Sequence, residues 1–261
     1  MNKVEQIQEK EIELLKIFDD ICQENDLVYY ALGGTLLGAI RHKGFIPWDD
    51  DMDLGMPRKD YNRFIEIANE VLPEYIEFKI HEDNLNNTSI RDLSTEIVFG
   101  NTPCNPFIDI FPLDGYPQNG IYRFVHSRKI LFYRMLSKIS VIDQLIERDR
   151  GIVENAIVNI SRILHLNKVL NTTKLNQRLQ SVIQKYDFET SPVVGNILGA
   201  YREKELVPRE VFGKPTRINF SGFMMSAHQQ PEKYLGYVYG DYMQLPPEDK
   251  RIGHFVGTYG E

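Results

Sequence analysis

The chain is poor in cysteine, has no long apolar run and carries no excess of positive charge. Its two cysteines, Cys22 and Cys104, make neither a disulfide framework nor a metal-ligand pair by spacing. A reducing, cytoplasmic setting, if need be at the inner face of a membrane, is therefore expected. No stretch approaches the roughly 18 consecutive apolar residues of a membrane span. The opening stretch MNKVEQIQEKEIELLKIF is charged throughout, so no signal peptide is expected there. A formal net charge of −7 argues against nucleic acid as a partner. Internal repeats and low-complexity segments are also missing.

What is present suits one substantial core with room for a subdomain: 261 residues, 42% of them hydrophobic. Charge is uneven. Residues 121–140, IYRFVHSRKILFYRMLSKIS, hold Arg123, Arg128, Lys129, Arg134 and Lys138 and no acid. Such a stretch suits an anionic membrane surface or an anionic acceptor, and equally an insert helix packed on the body. Apolar spacing at Val4, Ile7, Leu14, Phe18 and Ile21 predicts a helix over 3–24. LVYYALGG (27–34) reads as a buried strand ending in a glycine turn, and TLLGAIR as a short helix capped by Thr35. DMDLGM reads as a strand with Asp51 and Asp53 on one face, followed by an amphipathic helix from Arg58. Further strands are expected at 77–81, 94–100 and 107–117, helices over 121–187, and short strands and turns after Pro192. The fold class expected is α+β, a mixed-sheet core with a helical insertion. Its expected division is a catalytic core over 1–120, a helical insertion over 121–190 and a part completing core and substrate groove over 191–261.

The densest chemistry lies in FIPWDDDMDLGM, which puts Asp49, Asp50, Asp51 and Asp53 into five positions. Like charges this close resist burial unless water or a cation offsets them. The run begins like an EF-hand loop, but the sixth place is Leu54 and the twelfth Asp60, where glycine and glutamate are needed. A solvated acidic loop is the plain alternative, and the return to apolar residues at MDLGM argues against it. Asp53, in MDL, and Asp109, in IDI, are each a lone acid flanked by apolar residues, and Asp51 stands two places before Asp53. Paired acids on one strand with a third from a neighbour make an oxygen-rich site for hard divalent cations, which serve in-line phosphoryl transfer. Gly33-Gly34-Thr35 would leave backbone N–H groups near phosphate oxygens at a helix start.

The segment LGGTLLGAIRHKGFIPWDDDMDLGMPRKDY resembles the signature of the LicD family, within the nucleotidyltransferase-like superfamily. FIDIFPLDGYP and YGDYMQLPPEDKR resemble it too, so the likeness covers nearly the whole chain. The resemblance implies a nucleotidyltransferase-like core and transfer of phosphocholine, or a related phospho-alcohol, from a CDP-activated donor such as CDP-choline. The acceptor implied is a sugar of a cell-surface glycan, as in teichoic acid or a lipid-linked precursor. By the family pattern Asp51 and Asp53 match the paired metal ligands, Asp109 the third carboxylate, and Asp49 a further member. Two Mg²⁺ or Mn²⁺ ions are expected there. Gly33, Gly34 and Thr35 match the phosphate-side turn. Sixteen residues separate Gly34 from Asp51, a longer gap than in most of the superfamily, so RHKGFIPW is expected to shape donor choice.

Arg41 and Lys43, flanking His42, are candidates for the donor phosphates. A quaternary ammonium is best held against aromatic faces, which makes Trp48, Tyr116, Tyr237 and Tyr242 candidate contacts, though Trp48 also suits plain packing. Lys250, Arg251 and His254 could meet phosphate or acceptor, or only cover a surface. Asp109 or a neighbouring acid would act as base. Two rival functions remain: a nucleotidyltransferase attaching NMP to a small molecule or sugar, and a non-catalytic metal-binding module of a glycan assembly complex.

Overall fold

The computed structural model describes residues 2–81, 88–142, 161 and 164–259. Residues 143–160 and 162–163 of the expected helical insertion lie outside the described residues, as does the side chain of His254. Strands are β1 (Tyr30–Ala31), β2 (Asp53–Pro57), β3 (Ile76–Ile80), β4 (Thr88–Asp92), β5 (Ile97–Phe99), β6 (Thr102–Cys104), β7 (Phe107–Tyr116), β8 (Val193–Gly195), β9 (Val207–Pro208), β10 (Thr216–Phe220) and β11 (Phe223–Ala227). Helices are α1 (Lys3–Glu24), α2 (Gly33–Arg41), α3 (Arg58–Val71), α4 (Gly120–Ser140), α5 (Leu166–Val169), α6 (Thr172–Ile183), α7 (Arg209–Phe212), α8 (Pro231–Tyr239) and α9 (His254–Tyr259).

The main sheet has the order β1-β2-β7-β4-β3, with β8 on the far half of β7 and β9 beyond it. Among the described residues only β2 and β7 run parallel, so the sheet is mixed, as an α+β chain predicts. Their register pairs Asp53 with Asp109. Residues paired across parallel strands point to the same face. The two acids therefore stand side by side where both strands begin.

α1 starts with a reciprocal capping box between Asn2 and Glu5. Of its predicted stripe, Ile7, Leu14, Phe18 and Ile21 are buried and Val4 partly so. α1 also holds the acidic loop, because the Gln8 amide donates to Asp49 O at 2.7 Å. β7 is long enough to join two cores. Its first half lies in the main cluster with Ile108 and Ile110, and its end, Tyr116, sits in a smaller one with Ile130 of α4 and Leu179 of α6.

Three expected boundaries move. The strand at 27–34 shrinks to Tyr30–Ala31, because Gly33, at φ +46°, already turns the chain into α2. Thr35 is consequently not the cap: the N-cap is Leu32, which offers no side-chain bond. The Thr35 hydroxyl instead accepts from Asp53 N–H at 2.8 Å, tying helix to strand. β2 begins at Asp53, not Asp51, so the preceding acids stay in the loop. β4 was not foreseen; its buried Thr88, Ser89 and Asp92 hide the apolar alternation that marks a strand.

Candidate active site

The acids open onto a cavity of about 910 Å³. Gly33 and Gly34 form one corner. A side chain at Gly33 would meet Asp53 Oδ2 at 3.1 Å, and one at Gly34 would meet Asp49 Oδ2 at 2.7 Å. Glycine thus lets both carboxylates lie against the start of α2, whose first N–H groups lack helical partners and carry the positive end of the dipole. Asp51 lines the same cavity. Trp48, Tyr201, Tyr239 and Tyr242 also line it, with the rings of Tyr201 and Tyr239 edge to face at 5.0 Å.

Electrostatically the site is short of cations. No lysine or arginine salt-bridges Asp49, Asp51 or Asp53 among the described residues. Burial, then the Asp51 charge and a hydrogen bond shared with Asp51, pushes the Asp49 carboxyl up to about 8. Burial, then Asp51 and Asp109, holds the Asp53 carboxyl well above the usual carboxylate range. Behind the loop, Glu11 of α1 is fully buried, and neither of its carboxyl oxygens has a hydrogen-bond partner. Burial, then the charges of Asp51 and Asp50, drives its carboxyl upward as well. Asp50 points away from the cavity and accepts from Phe255 N–H at 3.0 Å. Among the described residues, no three acidic, histidine or cysteine side chains stand in a ready-made metal-ligand arrangement. The donor set itself is hard oxygen throughout, and mutual repulsion would be relieved by a divalent cation.

The other predicted residues divide. Arg41 lines the cavity, its Nη1 donating to Tyr242 O at 2.8 Å, and burial lowers its pKa. Lys43 does not line it: exposed at φ +62°, it turns its ammonium to Ile40 O at 3.2 Å. Asp109 enters through its register with Asp53 rather than as part of the cavity lining. Trp48 serves both readings, since it lines the cavity while the Arg251 guanidinium covers its ring at 5.4 Å. Arg251 also donates to Pro246 O, so it braces the rim. Lys250 is exposed in the turn before it and outside the lining. Tyr237 is exposed on the outer face of α8. Tyr116 is at the other end of β7, edge to face with His126, and does not reach the cavity.

Glu205 is the main residue that the sequence did not single out. It lines the cavity, is almost fully buried, accepts from Tyr201 N–H at 2.8 Å, and is pushed up to about 7 by burial. Its setting, YREKELV, looks like an ordinary solvated charge run, which is why it escapes notice. Tyr201 joins the cavity without a local signal either, whereas Tyr239 and Asp241 come from YGDYMQLPPEDKR, a segment that resembles the family.

The site thus sets paired acids on two parallel strands beside a helix that starts at glycine. Residues 26–140 match the family model LicD/FKTN/FKRP, nucleotidyltransferase domain. Over 256 residues, 94% of this chain, it is 30% identical to the lipopolysaccharide cholinephosphotransferase LicD of Haemophilus influenzae, covering 93% of that protein. Uncharacterized proteins of Rickettsia typhi (38% identical over 63 residues, 24% of this chain and 19% of that one) and Rickettsia prowazekii (30% over 115 residues, 42% and 41%) match shorter parts. The chain belongs to the LicD family, a family of transferases.

Proposed function

We propose that the chain moves phosphocholine, or a related phospho-alcohol, from a CDP-activated donor to a sugar hydroxyl of a cell-surface glycan precursor such as teichoic acid. The observation that carries this reading is one cavity in which Asp49 and Asp53 lie against the α2 start and which aromatic residues, Trp48, Tyr201, Tyr239 and Tyr242 among them, also line. The name of the Haemophilus relative supports the phosphocholine cargo. Asp49, Asp51, Asp53 and Asp109 would hold two Mg²⁺ or Mn²⁺ ions, which when bound neutralise the donor phosphates. The α2 N-terminus and Arg41 orient phosphate oxygens. Trp48, Tyr201, Tyr239 and Tyr242 offer π faces to the quaternary ammonium, which has no hydrogen to donate. The acceptor oxygen bonds to the choline-bearing phosphorus, the pyrophosphate P–O bond breaks, and CMP departs. The hydroxyl proton passes to a carboxylate: Asp109 is one candidate base, and Glu205, poised near neutrality, is the second.

Melting temperature with CDP-choline, CDP-ethanolamine, CDP-glycerol, CDP-ribitol or CTP, each with Mg²⁺ or EDTA, tests the donor site, because a ligand bound only by the folded state stabilises it. A rise for CDP-choline that EDTA abolishes is expected. A rise for CTP alone would favour NMP transfer, the reading that the nucleotidyltransferase name suggests. Stabilisation by metal and by no nucleotide would overturn the donor assignment.

A further inference from the structure

We propose that α4 is an in-plane membrane anchor that docks the protein on an anionic lipid surface. No described helix is long and apolar enough to cross a membrane. The inference stands on α4 alone and does not depend on the reading of the cavity.

α4 is 21 residues long; among the described residues its first four turns pack by one face, and only its end, at Ile139 and Ser140, is buried beyond that face. Its inner face buries His126 and Ile130 and reaches α6 through the Ser137 hydroxyl, 2.5 Å from Asn176 Oδ1. At about 100° per residue, Ile121, Phe124, Val125, Leu131, Phe132 and Met135 fall together on the outer face. All six are exposed, Phe124 at 61% and Phe132 at 52%. Scattered apolar residues on a surface need no explanation, but a continuous stripe does. Arg128 lies within this stripe, and Lys129 and Lys138 stand on its two flanks. No acid occurs anywhere in the helix.

Basic residues beside an apolar, aromatic stripe match the two layers of a membrane interface. Rings enter the acyl boundary while long cationic side chains reach back to phosphate headgroups. The same pattern opposes self-association, because a two-fold contact through this face would bring Arg128 and Lys129 of two copies close to one another. The Arg123–Glu203 ion pair at 3.3 Å ties α4 to the turn that supplies Tyr201 and Glu205 to the cavity.

Cosedimentation of the full chain with vesicles of phosphatidylcholine alone, or mixed with phosphatidylglycerol, tests this. Binding to the mixed vesicles is expected to exceed binding to the neutral ones about tenfold and to fall with salt. Each basic residue near an anionic surface contributes roughly fivefold, so Arg128→Glu with Lys129→Glu should reduce binding about twentyfold or more. Phe124→Ser with Phe132→Ser should remove it, and Phe132→Trp emission should shift to the blue on binding. All of these side chains are exposed or flank the exposed face, so an unchanged melting temperature is the control for folding. Equal binding to both vesicles, or full binding by the charge-reversed variant, would overturn the proposal. So would a concentration-dependent dimer that the serine variant dissolves while vesicles leave the protein in solution.

Discussion

Two groups of buried acids in this molecule are treated in opposite ways. Asp19 accepts from both arms of Arg217 at 2.6 and 2.7 Å and from the Tyr29 hydroxyl, and these bonds outweigh burial to hold its carboxyl below the usual range. Asp114 receives the Arg58 guanidinium in the same two-pronged manner, at 2.8 and 2.6 Å. Around the cavity, Asp49, Asp53, Glu205 and Glu11 have no such cation, and each carboxyl is held high. The first group completes its electrostatics within the chain and so stabilises the fold. The second leaves its electrostatics incomplete, which costs stability and readies the cavity for a positively charged ligand.

The sharpest way to break this contrast is to neutralise one acid in the second group. Asp53→Asn is expected to lower the transfer rate on the order of a thousandfold, since it removes a charge from the centre of the proposed metal set. The same variant should melt no lower than the wild type in EDTA, because it relieves repulsion. A clear fall in melting temperature would show that Asp53 belongs with the structural acids. Neutralising the first group should do the reverse. Arg217→Ala is expected to destabilise the fold by about 2 kcal/mol, read from the urea midpoint. That is below the full cost of orphaning a buried charge, because the guanidinium is partly exposed and Tyr29 and Gln23 still bond to Asp19.

Acid titration sharpens the same point. Asp19 has a depressed folded pKa, so its contribution is present above its ordinary value of 3.8 and is lost as pH falls through the lower folded value. The wild type should therefore lose stability at the acid end more steeply than Arg217→Ala, measured by melting temperature across pH 2–6. Glu205 makes a smaller and catalytic difference. If it takes the acceptor proton, the rate should rise with pH through about 7, and Glu205→Gln should flatten that limb and cost roughly a hundredfold on the plateau. A limb unchanged in Glu205→Gln would return the role to Asp109. The smallest effect expected is for Tyr242→Ala, a loss of about fivefold in affinity for CDP-choline and little for CTP, read by titration calorimetry.

Much of the site could be read from residue order. The acid run, the glycine pair and IDI are local patterns whose chemistry follows from repulsion, backbone freedom and strand alternation. The helix over 3–24 and the strand at Asp109 were legible for the same reason: period is a local property. The reading failed where a residue's partner lies far along the chain. Thr35 looks like a cap until Asp53 N–H claims its hydroxyl. Tyr116 looks like a candidate ring until the length of β7 carries it away from Asp109 to the smaller core. Lys43 looks like a phosphate ligand until a left-handed backbone turns it out.

By itself, the order of residues determined that four acids would sit together beside an apolar strand and a glycine turn. It also determined that residues 121–140 would be basic and aromatic on one helix. Only the tertiary structure decided which acids stay without a cation, because that depends on whether Arg58 and Arg217 can reach them. It alone brought Glu205, Tyr201 and Tyr239 across from the far half of the chain into the cavity that Asp49 and Asp53 line. Sequence encodes contacts between neighbours directly, whereas contacts between distant segments exist only once the sheet and its packed helices have closed.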